Sequence, residues 1–244
     1  MSMPIEHINY TITEIDGVMW AKIDGNYPIS IQGLTSNVLP MVYPMPPNST
    51  NIHLYLNGAE LLWDNVTAVY PEMTHKTAIG TWWEISGLLE NLSDSFVLGI
   101  HYEHPLEQIN GSYIFLYDLN IADYLSTEHP TSTAYFTIHF ESNVSDVHVF
   151  TAPVNSQPSQ WQPKEFAETT EGATKVVTVE VHSRYGEALP GDLVVIFRAD
   201  AVGGLQDELP AWAIPLVIDM ALLALLIYVK RRTLASVFSS KNTN

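Results

Sequence analysis

Residues 8–25 read INYTITEIDGVMWAKIDG, two runs of alternating apolar and polar residues, Ile8–Ile15 and Val18–Ile23, joined by Asp16-Gly17. Alternation of period two places one set of side chains on one face of a strand. Asp-Gly between two such runs is among the strongest short-range signals for a β-hairpin, because both turn residues then adopt positive φ. A second Asp-Gly pair, Asp24-Gly25, follows the second run and reads as another turn.

The same signature recurs along the chain. Ile52, Leu54 and Leu56 alternate with His53 and Tyr55, and Asn57-Gly58 then turns the chain. Phe96–Tyr102 and Tyr113–Leu119 flank a turn-rich stretch that ends in Asn110-Gly111. Ala134, Phe136, Ile138 and Phe140 form one apolar face, and Val177, Val179 and Val181 another. The run 191–198 is more continuously apolar, as expected of a strand covered on both sides. Helix signals are confined to Ile121–Leu125, capped by Asn120, and a short piece within Trp83–Leu92. Short strands with turn signals at this spacing predict a mainly β fold, an antiparallel β-sandwich or barrel. Pro44-Met-Pro-Pro reads as a kinked loop. Residues 152–163, with three prolines, read as a linker or long crossover. Two strands alone cannot bury a core, so those after the crossover belong to the same sandwich, residues 1–198.

Residues 210–229, PAWAIPLVIDMALLALLIYV, break this pattern. About 20 helical residues at ~1.5 Å each cross a bilayer core of ~30 Å. Trp212 and Tyr228 lie near the ends of the run, and Lys230-Arg231-Arg232 follows it. The expected organisation is an outer domain 1–198, a flexible stalk 199–209 containing Gly203-Gly204, a transmembrane helix 210–229 and a short basic cytoplasmic tail 230–244. Before the span there are six basic residues against 26 acidic ones, a net charge of −20; the tail carries +4. Basic residues beside a span favour the cytoplasmic side, so the N-terminal domain is expected outside a cell membrane. The first 16 residues carry neither a basic nor an apolar leader region, and a leader missing from the sequence is the expectation that fits this orientation.

Six sequons precede the span: Asn9, Asn48, Asn65, Asn91, Asn110 and Asn143 are each followed at the second position by Ser or Thr. With Ser plus Thr near 15% of the chain, chance would place about two there. They are candidate glycosylation sites. The chain has no cysteine, which excludes disulfides, thiolate metal centres and cysteine nucleophiles. An acidic surface of this strength excludes nucleic acid as a partner, since phosphate binding needs basic patches.

Motifs for catalysis are absent: there is no G-x-S-x-G, H-E-x-x-H, P-loop or G-x-G-x-x-G. No enzyme activity, cofactor or metal is expected. His101-Tyr-Glu-His104 resembles a ligand cluster, but i and i+3 on a strand face opposite sides, so a structural or surface role is expected. Trp82 and Trp83 must likewise point apart, which makes Trp83 a candidate surface contact, with Trp161 in the proline-rich crossover a second. Asp219 lies near the middle of the span, where a carboxylate costs roughly 2.5–3.5 kcal/mol, and is a candidate for helix assembly with itself or another membrane protein.

Asp207-Glu-Leu-Pro-Ala-Trp, the apolar helix and Lys230-Arg-Arg together resemble the C-terminal anchors of archaeal cell-surface proteins. Some of these belong to a sorting class named for a Pro-Glu-Phe motif, in whose place this chain has Pro210-Ala-Trp. The resemblance covers residues 207–232 and implies a glycosylated, β-rich envelope protein. The expected function is therefore a membrane-anchored cell-surface β-sandwich with a binding or envelope-structural role. Its partners would be the lipid bilayer, a membrane protein or second copy, and an envelope glycan. The alternatives are an accessory subunit of a membrane complex assembled through Asp219, and an extracellular carbohydrate-binding module.

Overall fold

A computed structural model describes residues 2–31, 37–61, 75–119, 132–183 and 191–199. In chain order the strands are β1 (Ile5–Ile15), β2 (Val18–Ser30), β3 (Leu39–Met45), β4 (Thr50–Leu56), β5 (Ala59–Glu60), β6 (His75–Lys76), β7 (Thr81–Leu89) and β8 (Ser95–Pro105). They continue with β9 (Glu107–Ile109), β10 (Ser112–Tyr117), β11 (Thr133–Phe140), β12 (Val144–Ala152), β13 (Gln162–Pro163), β14 (Ala167–Glu171), β15 (Thr174–His182) and β16 (Asp192–Ala199). Helical structure among the described residues is confined to a 3-10 turn, Pro158–Gln160.

The opening hairpin forms as expected. Asp16 and Gly17 have φ of 52° and 78°, the two positive values a two-residue turn of matching twist demands. The same chemistry closes β4–β5 at Asn57-Gly58 and β9–β10 at Asn110-Gly111. Asp24-Gly25 does not turn: β2 runs through it to Ser30, paired with β1 on one side and β8 on the other. Gly25 serves space instead. A Cβ there would lie 2.1 Å from the Tyr27 hydroxyl oxygen, because the Tyr27 ring folds back over the glycine. Gly25→Ala is therefore expected to displace Tyr27 and destabilise the fold by about 1–3 kcal/mol, the usual range for overpacking. Chemical denaturation of both proteins measures this; an unchanged midpoint would show that the ring moves without cost.

Three sheets enclose the core. Eight strands lie in the order β14-β15-β11-β1-β2-β8-β4-β5, five in the order β13-β12-β16-β10-β9, and three in the order β3-β7-β6. All named pairings are antiparallel except β1 with β11. The inner face of the large sheet carries Ile8, Tyr10, Ile12, Ile23, Ile100, Tyr102, Phe136 and Ile138, all 2% exposed or less. It packs on Phe115, Tyr117 and Phe197 of the five-stranded sheet, with Tyr10 stacked on Phe115 at 4.6 Å between centroids. Met41, Met45, Ile85 and Leu89 of the three-stranded sheet complete the same core. A second apolar cluster, Ala78, Trp82, Leu116, Ala152, Trp161 and Val194, covers the opposite face of the five-stranded sheet. Central β16 is thus buried on both sides, which accounts for its continuously apolar sequence.

Three expectations are corrected. Trp83–Leu92 contains no helix: residues through Leu89 form β7, and Trp82, Ile85 and Leu89 mimic helical spacing because Trp82 faces one cluster and the other two face the other. The kinked loop at Pro44 begins inside a strand, since β3 carries both Pro40 and Pro44. β3 is an edge strand, where proline's missing N–H is tolerated. Trp161 is not an exposed loop residue but anchors the 152–163 crossover, 8% exposed with its indole N–H donating to Ser156 Oγ at 3.0 Å.

Residues 1–200 form one compact unit. Among the described residues no helix is long and apolar enough to cross a membrane. The expected span 210–229, Asp219, the tail, Asn65 and the helical signal at Ile121–Leu125 all lie outside the described residues.

Candidate functional site

Where the three sheets meet, the packing leaves a cavity of about 120 Å³. Its walls come from the inner faces of β1, β2 and β8 on one side and from β3, β7 and the end of β10 on the other. Most of the lining is apolar: Ile29, Leu39, Met41, Leu89 and Leu98 among others. Into this surface project a few polar groups, the combination that typifies small-molecule sites.

Glu6 is the most unusual of them. In β1 it is in phase with Ile8, Tyr10 and Ile12, so the pleat turns its carboxyl inward, where the residue is 1% exposed. Its Oε1 has no hydrogen-bond partner among the described residues. Burial, reinforced by the nearby charge of Asp118, pushes the Glu6 carboxyl up to about 8. A carboxyl in this state is largely protonated at neutral pH and sits close to the pH at which it could ionise.

Beside it runs a chain of phenols. Tyr27 Oη lies 2.6 Å from Tyr117 Oη and 3.0 Å from Tyr43 Oη, which joins the large sheet to both of the others. Tyr102 packs edge-on to Tyr43 at 6.2 Å between centroids. Burial holds all four hydroxyls well above their ordinary range, so they remain neutral. Tyr10 is 0% exposed beneath them, its hydroxyl without a partner among the described residues.

The polar wall continues at His75 and Asp118, behind which Asp192 bonds to Asp118. His75 Nε2 lies 2.5 Å from Asp118 Oδ2, and Nδ1 lies 3.3 Å from Glu84 Oε1. The hydrogen bond to Asp118 outweighs burial and raises the His75 imidazole above its ordinary value. Asp192, fully buried at the start of β16, accepts the Ala78 N–H at 2.7 Å. Burial first, then the charge of Asp118, pushes the Asp192 carboxyl up to about 8. Among the described residues that line the cavity there is neither Lys nor Arg. No group of three or more His, Asp or Glu among the described residues could hold a metal ion.

Sequence reasoning singled out none of these cavity residues. The available signal was phase: extending the β1 alternation back two residues from Ile8 puts Glu6 among the core positions. The residues that were singled out lie elsewhere. His101 and Glu103 share the outer face of β8 and His104 faces inward, as strand geometry requires. His101 Nδ1 pairs with Asp24 Oδ1 at 2.8 Å, while buried His104 bonds through Nδ1 to the Pro105 carbonyl at 3.1 Å. Trp83 is half-buried. The five described sequon asparagines, Asn9, Asn48, Asn91, Asn110 and Asn143, are all exposed.

No protein-family model matches the sequence, and no curated protein matches it. Among solved structures the chain is similar to a Legionella pneumophila protein described as a "putative nutrient binding protein", with a TM-score of 0.54 and 9% identity over 80% of this chain. It covers 66% of that protein, just under two thirds of its length. Legionella pneumophila aminopeptidase A in complex with aspartic acid gives a TM-score of 0.39 at 10% identity, over 80% of this chain and 21% of that one. Native yeast leukotriene A4 hydrolase gives 0.35 at 9% identity, over 80% and 28%. The first likeness is one of fold alone.

Proposed function

We propose that this chain is a non-catalytic binding protein of the cell surface: an acidic β-sandwich held outside the membrane by the helix 210–229, taking a small ligand into the cavity between its three sheets. The observation that carries the binding reading is Glu6 Oε1. A buried carboxyl oxygen without a partner is unfavourable by roughly 1–3 kcal/mol, and an apolar cavity beside it gives a ligand both volume and a polar anchor. The outward orientation is supported by the charge of −20 before the span against +4 after it, and by the exposure of the five described sequon asparagines. Asn48, Asn91 and Asn110 sit at positive φ and are exposed.

Protease added to intact cells is expected to release a fragment of about residues 1–198 with glycans on the sequon asparagines. The fragment, analysed by native mass spectrometry, is expected to retain a small molecule that Glu6→Gln does not. Digestion only after lysis, with unmodified asparagines, would overturn the orientation; an empty wild-type cavity would overturn the binding role.

A further inference from the structure

The cavity's own chemistry defines what fits it. Consider charge first. Glu6, Asp118 and His75 line the cavity, Asp192 bonds to Asp118 and Glu84 pairs with His75 behind that lining, and His75 is the only basic group among the described lining residues. An anionic ligand would therefore meet the Asp118 carboxylate and find no unpaired cation on the described lining, in a medium of low dielectric where repulsion is strong. Aromatic walls add to the bias: Tyr27, Tyr43, Tyr102, Tyr117 and Trp82 line the space. The faces of such rings are electron-rich and attract cations, the more strongly where water is excluded.

Size comes next. An apolar cavity of about 150 Å³ is known to hold one benzene, so the 120 Å³ here suits a ligand of about six non-hydrogen atoms. The final constraint is Glu6, a lining residue nine-tenths or more buried, whose Oε1 has no partner among the described residues. A neutral ligand fills the volume but brings no charge to stabilise an ionised Glu6. An ammonium group supplies a donor and a positive charge together.

We infer that the cavity binds a small organic amine: a compact apolar body of about six non-hydrogen atoms in all, with its ammonium donated to Glu6 Oε1 and flanked by the tyrosine rings. This rests on the reading of the cavity as the binding site. The protons balance simply. Glu6, carrying its proton in the empty site, gives it to solvent as the ammonium arrives, so an ion pair replaces a neutral acid and one proton is released. The other titratable groups that line the cavity among the described residues (Asp118, His75, Tyr27, Tyr43, Tyr102 and Tyr117) leave that exchange to Glu6, because the phenols stay protonated and His75 is already tied to Asp118.

Isothermal titration of the full-length protein in nanodiscs with isopentylamine, isopentanol and isovalerate tests this. Isopentylamine is expected to bind at least tenfold more tightly than isopentanol, and isovalerate not at all. In two buffers of different ionisation enthalpy, near pH 7, amine binding is expected to release close to one proton. Glu6→Gln is expected to bring amine affinity down to that of the alcohol, leave alcohol affinity unchanged and abolish proton release. If the alcohol or the acid binds as tightly as the amine, the cation inference fails while the cavity stands as a site. If none of the three binds, the cavity reading itself fails.

Discussion

The thermal unfolding midpoint is expected to fall as pH rises from about 6.5 to about 8, and Glu6→Gln is expected to remove a large part of that fall. The reason is proton linkage. Glu6 holds its proton up to about 8 in the folded state against 4.5 as its ordinary value, and Asp192 up to about 8 against 3.8. Both groups bind protons more tightly folded than unfolded. Their contribution is fully present below the ordinary carboxylate range and is lost as pH climbs through the folded value, by roughly 1.4 kcal/mol per pH unit per group. His75, also raised, has the same sign. His104 has the opposite sign: burial lowers it from 6.5 to about 4, so its contribution is lost as pH falls through that interval and partly offsets the carboxyls there. Above 6.5 that offset is gone and the downward slope is expected to be steepest. At pH 8, Glu6→Gln is expected to be on the order of 2 kcal/mol more stable than wild type, the relief of a buried charge less the cost of burying an amide. Near pH 4.5 the gain should vanish. A wild-type midpoint that is flat or rising between pH 6.5 and 8 would contradict the buried position of both carboxyls.

Gly191→Ala is expected to be the most damaging single-methyl change in the described residues. Gly191 has φ of 108°, a conformation that residues with a Cβ rarely adopt. Its missing Cβ would also lie 2.5 Å from the Ala152 carbonyl oxygen and 2.8 Å from the carbonyl carbon, which are backbone atoms that cannot swing aside. Strain of about 1–3 kcal/mol from the dihedral adds to about 1–3 kcal/mol from overpacking, for a loss of about 3 kcal/mol or more. The clash lies where β12 ends and β16 begins, next to Asp192, so the Asp192 carboxyl should be displaced as well. Urea denaturation gives the stability change. Gly17→Ala, at φ 78° with open space around its Cβ position, is the control and should lose only the dihedral part. Equal losses at the two positions would show that contact with Ala152 contributes nothing.

The sequence made the mainly β class legible because the positive-φ turns are written in Asp-Gly and Asn-Gly pairs flanked by alternating runs. It failed where one dipeptide has two uses: Gly25 looks like a turn residue and is instead the gap under Tyr27. It failed again at β12, where a bulge between Ser145 and His148, with Asp146 at φ 50°, breaks the alternation of Val144, Val147 and Val149. Prolines hid β3, because a sequence does not declare which strand will be an edge. Conspicuous residue types drew attention (sequons, tryptophans, the His-Tyr-Glu-His run), whereas the cavity is assembled from residues spread over seven different strands, most of them unremarkable within their own segments. Glu6 becomes meaningful only when the fold brings beside it Tyr27 from the next strand and Tyr117 and Asp118 from more than a hundred positions further along the chain.

The parallel pairing of β1 with β11 and the central place of β16 set the order in which this domain can assemble on the ribosome. Its first hairpin emerges early, but β1 waits for residues 133–140 before its second edge is covered. The five-stranded sheet, with β16 between β12 and β10, stays without its middle until residue 199 has been made. Such long-range closure slows folding and leaves strand edges open meanwhile. A nascent chain of this protein must therefore be shielded through nearly all of its first 200 residues, and completes its core only as synthesis reaches the apolar run that follows.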